Sequence, residues 1–376
     1  SPGTVPTDAM KQGDLSVYLG AEIGTDALGR PVYQGAIYDP VTTRNVTAGQ
    51  VDRATGLTAT SDATIRDPFP GNIIPSNRFD RVAKNILPLF PEPTRPGLIY
   101  NFGSQAVNIN QVDGWGTKID HALNNNHKLF GSFVWSDLNT PGISTYPGVL
   151  SSAIPSNNNI RIFRLGADSI LHPNWINHVA FGFNRWRSGT YPTADALGWP
   201  AKIGLTGVNE EGVFPGFTIA GQDYYGGTAI GYSAQSNFNI NDGLSWIKGK
   251  HNFKFGFEYL KMMSNDANNS ASTGSDTGSF GFNNFETALP SAPPSVTGAG
   301  MASFLLGQVD SGSVFVFTSS SYERSGYYAG YAQDDFRVTP KLTLNLGLRY
   351  DLYRPTVDKW NHLAWVDRTL PNPALG

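Results

Sequence analysis

From Lys341 to Tyr353 the chain reads KLTLNLGLRYDLY, and every second residue is apolar. Leu342, Leu344, Leu346, Leu348, Tyr350 and Leu352 alternate with Lys341, Thr343, Asn345, Gly347, Arg349 and Asp351. Side chains of a strand point in turn to opposite faces, so the segment is one strand with an apolar face and a polar face. A soluble strand rarely keeps so clean a division for this length. A strand that crosses a membrane needs it, because ~9–11 residues must span lipid with one face in hydrocarbon and the other toward a wet lumen.

The same alternation recurs upstream. Phe253, Phe255, Phe257 and Tyr259 oppose Asn252, Lys254, Gly256 and Glu258; Phe238, Ile240, Leu244 and Trp246 share a face that Asp242 interrupts. Four pairs of such segments flank short polar turns. They are Trp115–Leu123 with His127–Asp137, Ile160–Leu171 with Trp175–Arg187, Ser233–Ile247 with His251–Met262, and Tyr322–Val338 with Lys341–Tyr353. These read as four hairpins. The connections between hairpins, Leu138–Asn159, Ser188–Tyr232 and Met263–Ser321, are long and rich in Gly, Ser and Asn. Tight turns at one end and long loops at the other are the arrangement of bacterial outer-membrane barrels, with the long loops outside. The expected fold is therefore all-β: an antiparallel transmembrane β-barrel segment of about eight strands over 114–354. Residues 1–113 are expected to form a long irregular extracellular region, and 355–376 the start of a further loop. Within the first region Phe79–Leu89 has helical spacing, as does Ala299–Leu306 later on.

Composition sharpens this. Charged residues make up only 15% of the chain against ~25% for a soluble domain. Glycine (42 residues) and aromatics (12%) are abundant, as turns and interfacial rings require. No apolar run is long enough for a membrane-spanning helix. The absence of cysteine excludes disulfides, thiolate metal sites and thiol nucleophiles. A net charge of −3 and the lack of a Lys/Arg cluster along the sequence argue against a nucleic-acid partner.

Candidate chemistry is sparse. The histidines lack metal-ligand spacing, although His172 and His178 flank one turn and could meet across it. The Asn265–Asp276 loop lacks the ligand order of a calcium loop. Asp334 and Asp335 are adjacent, so they point to opposite faces and cannot form a catalytic carboxylate pair. No metal, cofactor or enzymatic activity is expected. Rings in the long loops, Trp186, Trp199, Phe214, Phe217, Tyr224 and Tyr225, are the candidates for ligand contact, against the simpler reading that they pack the loops or form an interfacial girdle. Lys254, Glu258, Arg349 and Asp351 are expected to face the lumen and to pair across strands.

Five segments in order, DPFPGNIIPSNRFDRVAKNILPLFPEP, KIDHALNNNHKLFGSFVWSD, GKHNFKFGFEYLK, GMASFLLGQ and YYAGYAQDDFRVTPKLTLNLGLRYDLYRP, resemble TonB-dependent outer-membrane receptors, and in particular their Oar-like branch. The resemblance implies a location in the bacterial outer membrane, contact with its lipid, and import of a carbohydrate, peptide or metal chelate. It also implies energy from the inner-membrane TonB complex, delivered through a plug. Such receptors have a barrel of about twenty-two strands, so this chain is expected to be an internal barrel piece. Its last strand should then present an exposed edge. The competing classes are a soluble or surface-attached β-rich adhesion or carbohydrate-binding protein and a passive porin.

Overall fold

The computed structural model describes residues 2–105, 109–142, 145–151, 155–190, 196–227, 230–268, 276–293, 296–316, 320–363 and 369. Eight long strands carry the chain back and forth: β1 (Gln111–Ala122), β2 (His127–Thr140), β3 (Ser156–His172), β4 (Trp175–Thr190), β5 (Gly231–Lys248), β6 (His251–Asn268), β7 (Ser321–Thr339) and β8 (Leu342–Asp358). Each pairs antiparallel with the next, giving one meandering sheet. The four hairpins and their tight turns stand where the alternation places them. Between β5 and β6 the ladder runs to Lys248 opposite His251, leaving Gly249-Lys250 as the turn. Gly249 has φ +62°, in the left-handed region that such a turn requires.

The strands run further toward the long loops than their alternation does. β3 begins in the polar run Ser156–Asn159, and β8 continues past Pro355 to Asp358. Pairing, not patterning, holds these ends, because a strand that has left the lipid no longer needs an apolar face. Pro355 falls where the β7–β8 register slips between Arg324 and Gly326, so its missing N–H breaks no regular ladder bond. Among the described residues β1 and β8 each pair on one side only, and the sheet is not closed. The expected exposed edge is present: among the described residues no strand pairs with the outer side of β8.

Residues 2–105 have little regular structure yet fold tightly. Helix α1 (Asp8–Lys11) is capped by Thr7, and α2 (Arg81–Ile86) by Asp80, whose carboxylate accepts from the amides of Val82 and Ala83 at 2.8 and 3.2 Å. A hairpin pairs Tyr38–Val46 with Ala63–Pro68. Val5, Met10, Leu15, Ile37, Ile74 and Ile86 are buried there. They share one core with residues from all three long loops, including Tyr146 and Leu150, Phe214 and Tyr225, and Phe282 and Phe304. The region expected to be long and irregular forms half of a cap at the long-loop end of the sheet. Helix α3 (Trp199–Ile203) and helix α4 (Gly300–Leu305) belong to the loop-derived half. Gly300 opens α4 because a Cβ there would meet the backbone of Ala220 at 2.6–2.7 Å. A four-stranded sheet of Gly216–Ile219, Tyr224–Tyr225, Ser279–Phe282 and Ser311–Ser313 binds the second loop to the third.

Salt bridges brace the cap's outer hairpin. Asp67 lies between Arg30 (2.5 Å) and Arg44 (2.8 Å); Arg30 also holds Asp26 at 2.7 Å and Arg44 holds Asp52 at 2.8 Å. Burial pushes the Asp67 carboxyl up, but the two guanidiniums outweigh it and hold it below the ordinary value. Hydrogen bonds from Arg44 do the same, more strongly, for Asp52. Carboxyls with lowered values stabilise the fold above the ordinary carboxylate pKa of ~4 and lose that contribution as pH falls toward the folded-state value. The cap should therefore loosen as pH drops below ~5. Asp67→Asn should cost about 1–2 kcal/mol at neutral pH and flatten the acid limb. Hydrogen exchange of the 38–68 hairpin across a pH series measures both.

Candidate functional site

Register assigns every strand residue to a face. Leu346, Asp334, Phe253, Trp246 and Trp175 lie in one row of paired residues, with Leu348, Ala332, Phe255 and Leu244 in a neighbouring row. Further toward the long loops come Leu352, Tyr328, Tyr259, Ile240, Phe181 and Leu165. This is a continuous apolar belt across the sheet. Rings gather at both of its ends: Trp175, Trp246 and Phe253 near the tight turns, with successive centroids 5.2 Å apart, and Trp115 and Phe133 (5.3 Å) near the long loops. Such paired girdles mark the two interfaces of a membrane.

The two adjacent aspartates separate as alternation requires. Asp334 lies on the apolar face, in the row of the tight-turn tryptophans, and meets His251 Nδ1 at 2.7 Å. The His251 ring stacks on Phe336 at 4.2 Å. Asp335 lies on the polar face against Lys254 at 3.0 Å. Asp242, inside the belt, accepts from Asn177 at 2.6 Å. His178 does not reach across its turn to His172; it meets Asp168 of β3 at 2.7 Å and stacks on Phe130.

Lys254, Glu258, Arg349 and Asp351 all fall on the polar face. Arg349 reaches Asp351 at 3.0 Å on its own strand, the Tyr327 hydroxyl at 2.6 Å across the ladder, and Glu258 two strands away at 3.6 Å. Tyr327 donates to Asp351 at 2.5 Å. The arrangement is a charge network across three strands.

The loop aromatics divide. Trp186 stands on the polar face near the long-loop end of β4, beside Gln235 and Ile160. Trp199 starts α3, half-buried, with its ring 5.7 Å from Phe214 and Lys202 above it. Phe214, Phe217 and Tyr225 are buried in the cap core. Tyr225 packs against Phe90 and Tyr146, both at 4.9 Å, and donates to the Thr4 carbonyl at 2.5 Å. Tyr146 accepts from the Thr4 amide at 2.9 Å and donates to Asp223 at 2.6 Å. Burial pushes both hydroxyls up, and for Tyr146 the adjacent Asp223 adds to it. Tyr224 lies at the cap surface with its hydroxyl on the Gly227 carbonyl. Part of the Asn265–Asp276 loop lies outside the described residues.

A concave site does form in the cap. A shallow, open cleft of about 500 Å³ lies between the N-terminal half and the loops, lined by Tyr18, Leu19, Gln34, Ala220, Asn284 and Val296 among others. Gln222 donates to the Tyr18 hydroxyl at 3.4 Å, while its own Oε1 is buried without a partner. None of the lining residues is charged. Sequence reading missed this site because its walls come from segments far apart in the chain.

Residues 1–375 match the family model described as "Outer membrane beta barrel domain". The chain belongs to this outer-membrane β-barrel family. It is a barrel segment of the bacterial outer membrane, and the belt is its lipid-facing surface. Two solved outer-membrane proteins are structurally similar at a distance. One is a mutant ferric enterobactin receptor of Pseudomonas aeruginosa in complex with enterobactin, at 11% identity and TM-score 0.33, over 65% of this chain and 29% of that one. The other is the outer membrane transporter YddB of Escherichia coli, at 10% identity and TM-score 0.29, over 95% of this chain and 56% of that one. The chain thus spans only part of the length of either. No curated protein matches it.

Lys and Arg do not cluster along the sequence, but register gathers them at the long-loop rim of the lipid-facing side. Arg161 pairs with Arg185, and Lys261 and Arg354 both pair with Gly326. The only sequence signal is that each lies a few residues to the long-loop side of an apolar alternation.

Proposed function

We propose that this barrel segment is part of the wall and outer cap of a TonB-dependent active transporter of the Oar-like branch. In this reading the cap captures substrate, and the inner-membrane TonB complex supplies energy through a plug inside the completed barrel. Further strands would cover the edges of β1 and β8, because open backbone edges do not persist in lipid. The protein binds and moves its substrate without transforming it. The observation that carries the reading is the folded cap with its cleft. A diffusion pore needs an open mouth, whereas a receptor needs a structured concave surface before transport begins. The cleft volume suits a small ligand or part of a larger one. Its neutral lining of ring, amides and backbone favours a carbohydrate or peptide over an anionic metal chelate, which calls for cationic partners.

The test is binding to the full chain in neutral detergent, with neutral oligosaccharides, short peptides and a ferric catecholate chelate compared. A neutral ligand is expected to bind, and Tyr18→Ala with Gln34→Ala should weaken it about tenfold or more by loss of stacking and hydrogen bonds. Preference for the anionic chelate, or binding indifferent to both substitutions, would sink the assignment. Liposomes holding the chain alone should show no uptake; import there would remove the need for a plug.

A further inference from the structure

Beside the neutral cleft the cap carries a second concave surface. It is an open depression of about 370 Å³ on the four-stranded sheet, with Thr218, Ser279, Asn283, Asp310, Ser311 and Ser313 among its lining. Register brings these side chains together. Phe217 pairs with Phe280 and Ile219 with Phe282, which puts the apolar residues on the face turned to the cap core. The alternate residues fall on the outer face. Tyr224, Thr218, Gly281 and Ser311 form one row there, and Gly216, Ser279 and Ser313 the next. Thr218, Ser311 and Ser313 are exposed.

This outer face sets one ring beside hydroxyls, an amide and a carboxylate. Tyr224 lies across Gly216, where a Cβ would meet its hydroxyl at 2.5 Å. That hydroxyl donates to the Gly227 carbonyl at 3.3 Å and meets Ser279, so the side chain is fixed at both ends while the residue stays 39% exposed. A Cβ at Gly281 would strike the Ser311 hydroxyl, so glycine keeps the floor low. The Asp310 amide donates to the Gly281 carbonyl at 2.9 Å, which anchors its backbone at the rim. Among the described residues its exposed carboxylate has no hydrogen-bond or ion-pair partner, and it is the one charged group in the lining.

The depression continues into the cleft. Ala220 lines both, Asn283 lines one and Asn284 the other, and along the seam the Ala220 amide donates to the Phe282 carbonyl at 2.8 Å. A ring face accepts the C–H face of a pyranose, and a carboxylate accepts strong hydrogen bonds from neighbouring sugar hydroxyls. The single negative charge works against anionic ligands. The phenylalanines of the sheet point the other way, which leaves a peptide few pockets for its side chains. A ligand that fills both hollows is a chain of units, not one unit.

We propose that cleft and depression form one groove for a neutral oligosaccharide, with some units in the cleft and the next ones on Tyr224 and Asp310. The inference rests on the cleft being the capture site and adds to it the class and the length of the substrate.

The test is isothermal titration calorimetry on the full chain, in a zwitterionic detergent without sugar headgroups. The probes are the di- and hexasaccharides of α-glucan, β-glucan, xylan and mannan, an oligogalacturonate, and an uncharged, end-capped hexapeptide. A neutral hexasaccharide should bind about tenfold or more tighter than its disaccharide, and the oligogalacturonate should not bind. Tyr224→Ala and Asp310→Asn should each weaken the hexasaccharide roughly tenfold and leave the disaccharide unchanged. Tyr224→Phe should keep most of the affinity, and Asp310→Asn should admit the oligogalacturonate. Asp310 is exposed and unpartnered, so its substitution decides the matter even where Tyr224→Ala loosens the cap. A ligand lost with Tyr18→Ala yet indifferent to chain length, Tyr224 and Asp310 would overturn this inference and leave capture in the cleft standing. Hexasaccharide binding that depends on Tyr224 but not on Tyr18 or Gln34 would overturn the cleft instead. Preference for the hexapeptide, or no binding by any neutral glycan, would overturn the oligosaccharide.

Discussion

An arginine in place of Phe255 is expected to lower the stability of the barrel wall in a bilayer by about 2–4 kcal/mol, the cost of a basic side chain near mid-depth on the lipid side. Phe255 is flanked in register by Leu244 and Ala332, with Leu348 beyond, so no nearby carboxylate in those positions would receive the charge. The neighbouring Phe257 would be a poorer site, because it pairs with Asp242. The matched control is Asn345→Arg on the polar face, opposite Asp335. That change places the cation toward the lumen and beside an acid, so its effect should stay within about 1 kcal/mol. Urea unfolding from liposomes reads both. Equal losses at the two positions would mean that the faces are not divided between lipid and water, and the membrane assignment of the belt would fall with that division.

The strands were legible because everything that specifies them is local. A period of two, a turn residue and a change of composition can be read within a dozen positions, and the four hairpins appear where those signals place them. Strand ends were less legible. Ser156–Asn159 shows no alternation, and β3 includes it only because β2 and β4 offer it partners. Two short helices of the cap were legible, since the spacing of Phe79–Leu89 and Ala299–Leu306 places α2 and α4, but the way the cap assembles was not. Its core takes Val5 and Phe90 from one region, Tyr146 from another, and Tyr225 and Phe304 from two more. Periodic order within one segment can announce a short helix, as it does around Phe304, but says nothing of which other segment it packs against. The cleft and the basic rim share that origin. Arg161 and Arg185 are distant in sequence and adjacent in space because the β3–β4 hairpin folds one against the other. Conversely, Arg349 and Asp351 were assigned to the polar face from alternation alone, since that face is a property of the strand itself.

Phe304→Ala should be the most damaging single change in the cap. Phe304 is 2% exposed and its ring meets Phe282 at 5.3 Å, Phe90 at 6.2 Å and Phe217 at 6.3 Å. Those partners belong to the third loop, the N-terminal half and the second loop, so one side chain joins three separate chain segments. Truncating a buried phenylalanine costs about 3–5 kcal/mol, a transfer loss plus the cavity left behind. Here the cavity would open where the segments converge, and none can close it without leaving another. The sheet has its own ladder and its own lipid contact, so its strands should not register the change. Limited proteolysis should then cut the variant within 2–105 and the long loops at protease levels that spare the parent chain, while hydrogen exchange of β3–β7 stays as slow as before. Loss of protection in the strands together with the cap would show that cap and wall unfold as one unit. A cap as resistant as the parent would show that Phe304 does not hold it together.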